Sequence, residues 1–268
     1  EKRRCKMDQQ AKNLDFEDYQ DFYDASAVFR CALDRSVTRG DATVWDITRY
    51  QKLLGPPIRY EGDDGAFEAE IRGQLNRCPA FVHKSLWRQA LLNNMHGLYE
   101  VCEGVYQVRG YDLANLTIVE TEGGVVVIDC TTACETAAAA LELYWAYKGT
   151  VSPVTAVLLT HSHVDHYGGA QSVLDAHRNR GFPDAPRVIA PEGFLEAAAL
   201  ENAIVGDAIT RRSTYQSGTL LAVSDDGPGN TDPGLAQDIQ QGGTLSFVEP
   251  DGSVVPNPDG KATSPWAT

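Results

Sequence analysis

Three of the chain's six histidines lie within six residues, in the stretch AVLLTHSHVDHYGG from Ala156 to Gly169. Each neutral imidazole needs partners for two ring nitrogens, and protonated rings repel one another, so three clustered rings are costly as packing alone. A divalent cation removes both costs, because imidazole nitrogens and carboxylates are standard ligands for zinc and related metals. The stretch therefore predicts a metal site, with a solvent-exposed polar loop as the alternative.

The spacing divides the candidate ligands into two pairs. The apolar run VTAVLLT predicts a buried strand that ends at Thr160, so His161 and His163 can point the same way from extended chain. Asp165 and His166 follow where the chain turns back, and we expect their side chains to face a second metal position. Two glycines, Gly168 and Gly169, allow that turn to enter the next helix without a steric clash.

The periodicity from Ser85 onward predicts an α/β layered domain. SLWRQALLNNMHGLYEV is typical of a helix leading into a strand, and GVYQVRG, NLTIVETEGG and VVVIDC are typical of short strands. ACETAAAALELYWAYKG predicts a helix that stops at a glycine, and GGAQSVLDAHRNRGF predicts another. RVIAPEGF favours a strand and turn, and FLEAAALENAIVGDAITRRSTY favours one long helix. Alternating strands and helices indicate a sheet covered by helices.

The chain divides into three regions by composition. Residues 1–84 are predicted to form an N-terminal helical arm and a connection, with 56–80 as a polar, turn-rich surface link. Residues 85–221 form the α/β domain. Residues 222–268 are rich in Gly, Pro and Asp, and we expect an irregular, poorly ordered tail.

Charge and hydropathy exclude several classes of partner. A formal net charge of −14 disfavours nucleic acid and anionic membrane surfaces. The sequence contains no run of eighteen apolar residues, which predicts no transmembrane segment, and it shows no signal peptide. Because the chain starts at Glu1, its compartment stays open between cytoplasmic and secreted. The six cysteines are scattered, which favours free thiols over a disulfide framework.

A family resemblance follows from these motifs. THSHVDHYGG resembles the metal motif of the metallo-β-lactamase superfamily, an αββα fold of mostly dinuclear zinc hydrolases. The block SLWRQALLNNMHGLYEVCEGVYQVRGYDLANLTIVETEGGVVVID is similar to the alkyl sulfatases of this superfamily, which hydrolyse dodecyl sulfate and similar esters. FEDYQDFYDASAVF, VWDITRY and APEGFLEAAALENAIVGDAITRRSTYQSGTLL fit the same family, so the resemblance covers about residues 14–221. A lactonase or thioesterase of the superfamily is a further alternative.

The resemblance implies roles for individual residues. His161 and His163 would bind one zinc ion, and Asp165 and His166 would bind the other, with Asp165 also the candidate catalytic carboxylate. Asp129, at the end of VVVID, matches a position that orients a ligand histidine, and a strand-end cap is its alternative role. The resemblance also implies a small alkyl sulfate ester as substrate, two Zn²⁺ ions as cofactors and a homodimer.

The sequence also departs from the family pattern. The family takes further ligands, two carboxylates and a histidine, from the second half of the fold, but no histidine follows His177 here. Glu249 is the only glutamate after Glu201. We therefore expect the N-terminal half of an αββα sandwich, with an exposed apolar patch around residues 125–128 and 157–159. Two hypotheses remain: a zinc-dependent alkyl sulfatase, or an inactive, truncated homologue with an incomplete metal site.

Overall fold

The computed structural model describes residues 29–31, 36–39, 42–46, 64–78, 82–217, 246–248 and 254–256. The predicted helical arm, apart from three short strands, and most of the predicted tail lie outside these residues. The described strands of the arm are β1 (Phe29–Cys31), β2 (Ser36–Arg39) and β3 (Ala42–Asp46). In the tail, β10 (Ser246–Val248) pairs antiparallel with β11 (Val254–Pro256).

A seven-stranded sheet forms the centre of the fold, in the order β1-β4-β5-β6-β7-β8-β9. Neighbours from β1 to β7 are antiparallel, whereas β7–β8 and β8–β9 are parallel. Each of the two parallel pairs is joined by a crossover connection that contains a helix, as parallel pairing requires. The strands are β4 (Gly97–Cys102), β5 (Val105–Arg109), β6 (Leu116–Thr121), β7 (Gly124–Ile128), β8 (Val154–Leu158) and β9 (Arg187–Ile189).

The core lies between one face of this sheet and two helices, α3 (Cys134–Lys148) and α5 (Ala170–Asn179). Alternate strand residues such as Val125, Val127 and Val157 are buried beneath these helices, since successive side chains on a strand point to opposite faces. Helix α3 ends at Gly149, whose φ of +67° is the left-handed conformation of a glycine cap. The α/β prediction is confirmed, including the glycine stop.

The surface connection predicted for residues 56–80 is wrong in its second half. Residues Asp64–Leu75 form helix α1, which packs on α2 (Lys84–Asn93). Phe67 and Ile71 recur at a spacing of four residues, and both are buried against Trp87. The glutamates between them, and the glycines at positions 65 and 73 on either side, obscured this apolar stripe in the sequence.

The single long helix predicted after residue 193 is also wrong. Helix α6 (Phe194–Ala199) passes into a π-helix at Leu200–Ile204, here called the π segment, and α7 (Gly206–Ser217) follows. The wider π turn is closed by a bond from Val205 N to Leu200 O, 2.9 Å long.

The predicted exposed patch at residues 125–128 and 157–159 is only half right. The side chains of Val125, Val127 and Val157 are buried under α3 and α5, whereas residues 126, 128 and 158 are partly exposed on the other face. The large exposed apolar side chains lie mainly further along the chain, from β9 to α7. They include Val188, Ile189, Leu195, Leu200, Ile204 and Tyr215. No helix among the described residues is both long enough and apolar enough to cross a membrane.

Candidate metal centre

The predicted ligands lie on a turn that follows the parallel strand β8. We call residues 160–167 the metal-binding turn, after the predicted ligands that it carries; it ends in the short helix α4 (Val164–Tyr167). His163 occupies the position before α4 in extended conformation, and His166 N donates to His163 O at 3.0 Å. The change from strand to helix within this turn is what brings the closely spaced side chains together.

The ring of His161 contacts the rings of both other histidines on this turn. His161 Nε2 lies 3.1 Å from His163 Nδ1. The ring centroids of His161 and His166 are 4.0 Å apart, and those of His161 and His163 are 4.7 Å apart. The Asp165 carboxylate completes the group, with its Oδ2 3.3 Å from His166 Nε2. The structure therefore brings together the four side chains predicted to bind metal.

Asp129 reaches this group from the end of β7. Its Oδ2 lies 2.8 Å from His166 Nδ1, and its Oδ1 accepts a hydrogen bond from Thr160 N at 2.9 Å. The Thr160 hydroxyl also donates to the same carboxylate. Asp129 thus contacts both a candidate ligand histidine and the adjacent strand end.

The donors fit zinc in pairs. Two nitrogens about 2.0–2.1 Å from a tetrahedral zinc ion are about 3.3 Å apart, close to the 3.1 Å between His161 Nε2 and His163 Nδ1. The 3.3 Å between Asp165 Oδ2 and His166 Nε2 is similar. Within the part of the chain that the structure describes, no group of three or more His, Cys, Asp or Glu side chains is arranged to hold one ion.

A buried carboxylate supports the loop that carries Asp129. Asp112 accepts hydrogen bonds from Thr132 Oγ1 at 2.6 Å and from Thr136 Oγ1 at 2.5 Å, and its backbone neighbour Leu113 N also donates to it. Complete burial raises the pKa of Asp112 to about 6, although these hydrogen bonds lower it in part. The network anchors residues 129–133, in which Asp129 and Thr131 both adopt left-handed backbone with φ near +58° and +57°.

The same loop packs directly against the glycine pair after the metal-binding turn. Cys130 N donates to His166 O at 2.7 Å, and Gly169 N donates to Thr131 O at 3.2 Å. A Cβ on Gly169 would overlap the Cys130 carbonyl oxygen, and one on Gly168 would overlap that of Thr132. The glycines are needed for this close approach, more than for a special backbone conformation.

Sequence reasoning missed three residues around the site. Thr160 Oγ1 lies 2.9 Å from His161 Nδ1, and Glu201 Oε1 of the π segment lies 3.6 Å from His163 Nε2. Asp112 is the third. Thr160 could have been found as the residue before the first ligand, whereas Glu201 and Asp112 reach the site only through tertiary structure.

Other histidine and cysteine side chains lie outside this cluster. His96 is buried after α2, with its Nδ1 3.0 Å from Asn94 O. Four described cysteines are free thiols, and burial raises the pKa of Cys130 to about 12. A thiol held neutral in this way is a packing group beside Asp129.

Comparison with known proteins identifies the superfamily of the chain. Residues 109–255 match the metallo-beta-lactamase superfamily, and the chain belongs to that superfamily. A linear primary-alkylsulfatase of Pseudomonas sp. is 37% identical over 234 residues, which cover 85% of this chain and 34% of the relative. An (R)-specific secondary-alkylsulfatase of Pseudomonas sp. is 36% identical, over 89% of this chain and 32% of the relative.

A solved structure extends the likeness to the fold. The stereoselective inverting sec-alkylsulfatase Pisa1 from Pseudomonas sp. superposes with a TM-score of 0.64 at 36% identity. The match covers 84% of this chain and 32% of that one. The predicted fold class is thereby confirmed. The chain spans about a third of the length of the relatives it matches.

Proposed function

We propose that this chain binds zinc at the metal-binding turn and hydrolyses alkyl sulfate esters, of the dodecyl sulfate type, to an alcohol and sulfate. The observation that carries the proposal is the convergence of His161, His163, Asp165 and His166 within contact distance after β8. The relatives that share 36–37% identity with the chain are themselves named alkylsulfatases, which supports this substrate class.

The four side chains would hold the metals in the pairs that the distances indicate. His161 and His163 would hold one zinc ion, and Asp165 and His166 would hold the second. When bound, such ions lower the pKa of coordinated water to about 7 and offset the negative charge of the sulfate group. This local positive charge would allow a chain of net charge −14 to accept an anionic ester.

Neighbouring residues of the chain orient the candidate ligand histidines. Thr160 and Asp129 engage the outer nitrogens of His161 and His166, which directs the other ring nitrogens toward the centre. Asp165 is partly exposed, so its carboxylate can accept a hydrogen bond from an incoming water molecule. We assign Asp165 the catalytic role on this basis.

The bond that breaks is a second part of the proposal. The solved relative is described as inverting, and inversion at a carbon centre requires water to attack carbon and sulfate to leave with its ester oxygen. We propose the same C–O cleavage for secondary esters here. Hydrolysis in ¹⁸O-labelled water should place the label in the alcohol, whereas label in the sulfate would show S–O cleavage.

A second candidate is a non-catalytic homologue with an incomplete metal site. It is favoured by the absence, among the described residues, of any three side chains arranged around one ion. Two ligands hold a zinc ion weakly, and structural zinc sites generally have four. A superfamily lactonase or thioesterase is a third possibility, which a panel of an alkyl sulfate, a lactone and a thioester would separate.

Sulfate release from dodecyl sulfate by the zinc-loaded chain tests the proposal. We expect release by the wild type, and loss of release in His161→Ala and His166→Ala. His83→Ser is the control, because His83 is an exposed helix cap and serine is also a good cap. No release from the zinc-loaded wild type would favour the inactive homologue. A homodimer is also proposed, and the molar mass in solution tests it.

A further inference from the structure

We propose that Glu201, in the π segment, is a positioning residue of the metal centre that fixes the ring of His163 so that its Nδ1 faces the metal. This inference rests on the proposed zinc site. The sequence gives no local sign of it, since Glu201 lies 38 positions after His163. It joins the metal-binding turn to a helix that the ligand motif does not include.

The two nitrogens of His163 have different surroundings. Nδ1 lies 3.1 Å from His161 Nε2, the neighbouring candidate ligand, whereas Nε2 lies 3.6 Å from Glu201 Oε1. The second distance is longer than a hydrogen bond. The negative charge of the Glu201 carboxylate beside Nε2 nevertheless favours the tautomer with its proton on Nε2, which leaves the lone pair of Nδ1 for a metal.

The other two histidines are already held in this way. His161 Nδ1 lies 2.9 Å from Thr160 Oγ1, and His166 Nδ1 lies 2.8 Å from Asp129 Oδ2. Metal-binding histidines generally have a partner on the second nitrogen, which fixes the tautomer and raises ligand basicity. Glu201 supplies this partner for the third ring. Every histidine of the turn then has one nitrogen engaged on the outside.

The π segment forms hydrogen bonds to the metal-binding turn on both sides of the ligand residues 163–166. Glu201 Oε2 accepts a hydrogen bond from Ser162 Oγ at 3.1 Å, before α4. The next residue, Asn202, donates from Nδ2 to the Tyr167 hydroxyl at 3.0 Å, at the end of α4. Single π turns inside helices recur at functional sites. Here the π segment directs consecutive side chains to opposite ends of one turn.

The test measures zinc affinity and histidine tautomer in the full chain with Glu201→Ala and Glu201→Gln. Glu196→Ala is the matched control, because Glu196 is an exposed carboxylate in α6, one helical turn before the π segment. Competition with a chelator gives the zinc affinity. Nitrogen-15 NMR of the metal-free chain gives the His163 tautomer, which a merely structural contact would not change.

We expect Glu201→Ala to weaken zinc binding about tenfold and to reduce the population of the Nε2–H tautomer of His163. Glu201→Gln keeps an acceptor oxygen, so its loss should be smaller, and Glu196→Ala should match the wild type. Equal zinc affinity and an unchanged tautomer in Glu201→Ala would overturn this inference while leaving the proposed function standing. A wild type that binds no zinc would overturn both.

Discussion

The metal-binding turn is supported from two sides, and the two supports differ in burial. On the sheet side, Asp129 contacts His166 at 2.8 Å with side chains 11% and 23% exposed. On the helix side, Glu201 lies 3.6 Å from His163 with side chains 30% and 61% exposed. Polar contacts between exposed side chains contribute little to folding, whereas buried hydrogen bonds to a carboxylate contribute more. We therefore expect the Asp129–His166 contact to stabilise the fold as well as orient a histidine. The Glu201–His163 contact should mainly orient a histidine.

The sheet side is also held by a deeper layer of contacts. Asp112 anchors the loop through Thr132 and Thr136, and the loop packs on the glycine pair. Left-handed backbone at Asp129 and Thr131 costs free energy, on the order of 1–3 kcal/mol each. The surrounding hydrogen bonds offset this cost and hold the loop in its conformation. Substitutions on this side should destabilise the fold, and those on the helix side should not.

The largest effect is expected for Gly169→Ala. The new methyl group would overlap the Cys130 carbonyl oxygen, and such overpacking should lower the free energy of unfolding by about 3 kcal/mol. Gly73→Ala in α1 is the control, because nothing lies within 4 Å of its Cβ position and alanine favours helix. Urea unfolding measures both, and equal stability of the two variants would contradict close packing at Gly169.

Asp129→Ala should have the next largest effect. It removes the acceptor for Thr160 and the partner of His166, and we expect a loss of about 2 kcal/mol. Asp129→Asn keeps part of this network and should lose less. Chemical denaturation of the metal-free chain measures the change. A loss below that of an exposed carboxylate such as Glu196 would show that the sheet side is no firmer than the helix side.

Asp112 should give the sheet side a characteristic pH dependence. Its pKa is about 6 in the folded chain against a reference value of 3.8. Between these values the folded state binds a proton that the unfolded state lacks, so stability falls as pH rises from about 4 to about 6. The change should be on the order of 2 kcal/mol.

Stability curves of wild type and Asp112→Asn between these pH values measure the effect. Asp112→Asn should be less stable than the wild type at low pH. Its stability should lack the decrease that the wild type shows as pH rises. The partly exposed Glu120 and Glu135 have lowered pKa values, so their contributions have the opposite sign and remain in both curves. If the difference in stability between wild type and Asp112→Asn is the same at every pH, Asp112 is not the source of the pH dependence.

The smallest effect on folding is expected on the helix side. Glu201→Ala should change the free energy of unfolding of the metal-free chain by no more than about 0.5 kcal/mol, even though we expect it to weaken zinc binding. The matched measurement is urea unfolding in the presence of a chelator. A loss as large as that of Asp129→Ala would remove the distinction between the two supports.

The outcome of sequence prediction follows the same division. The ligand pattern from His161 to His166, the strand before it and the glycine pair after it are local features, and the sequence predicts where they lie. Asp112 and Glu201 are separated from their partners by 20 and 38 or more residues, and their roles arise only when the chain folds. Helix α1 and the π segment were missed because neither has an uninterrupted periodic pattern.

The zinc content of the purified full chain, after dialysis against excess zinc and then buffer, tests the proposed metal centre most directly. We expect about two equivalents for the wild type, about one for the His161→Ala/His163→Ala variant and about one for the Asp165→Ala/His166→Ala variant. His83→Ser should match the wild type. Zinc well below one equivalent in the wild type, or equal zinc in all four proteins, would contradict a metal centre on this turn.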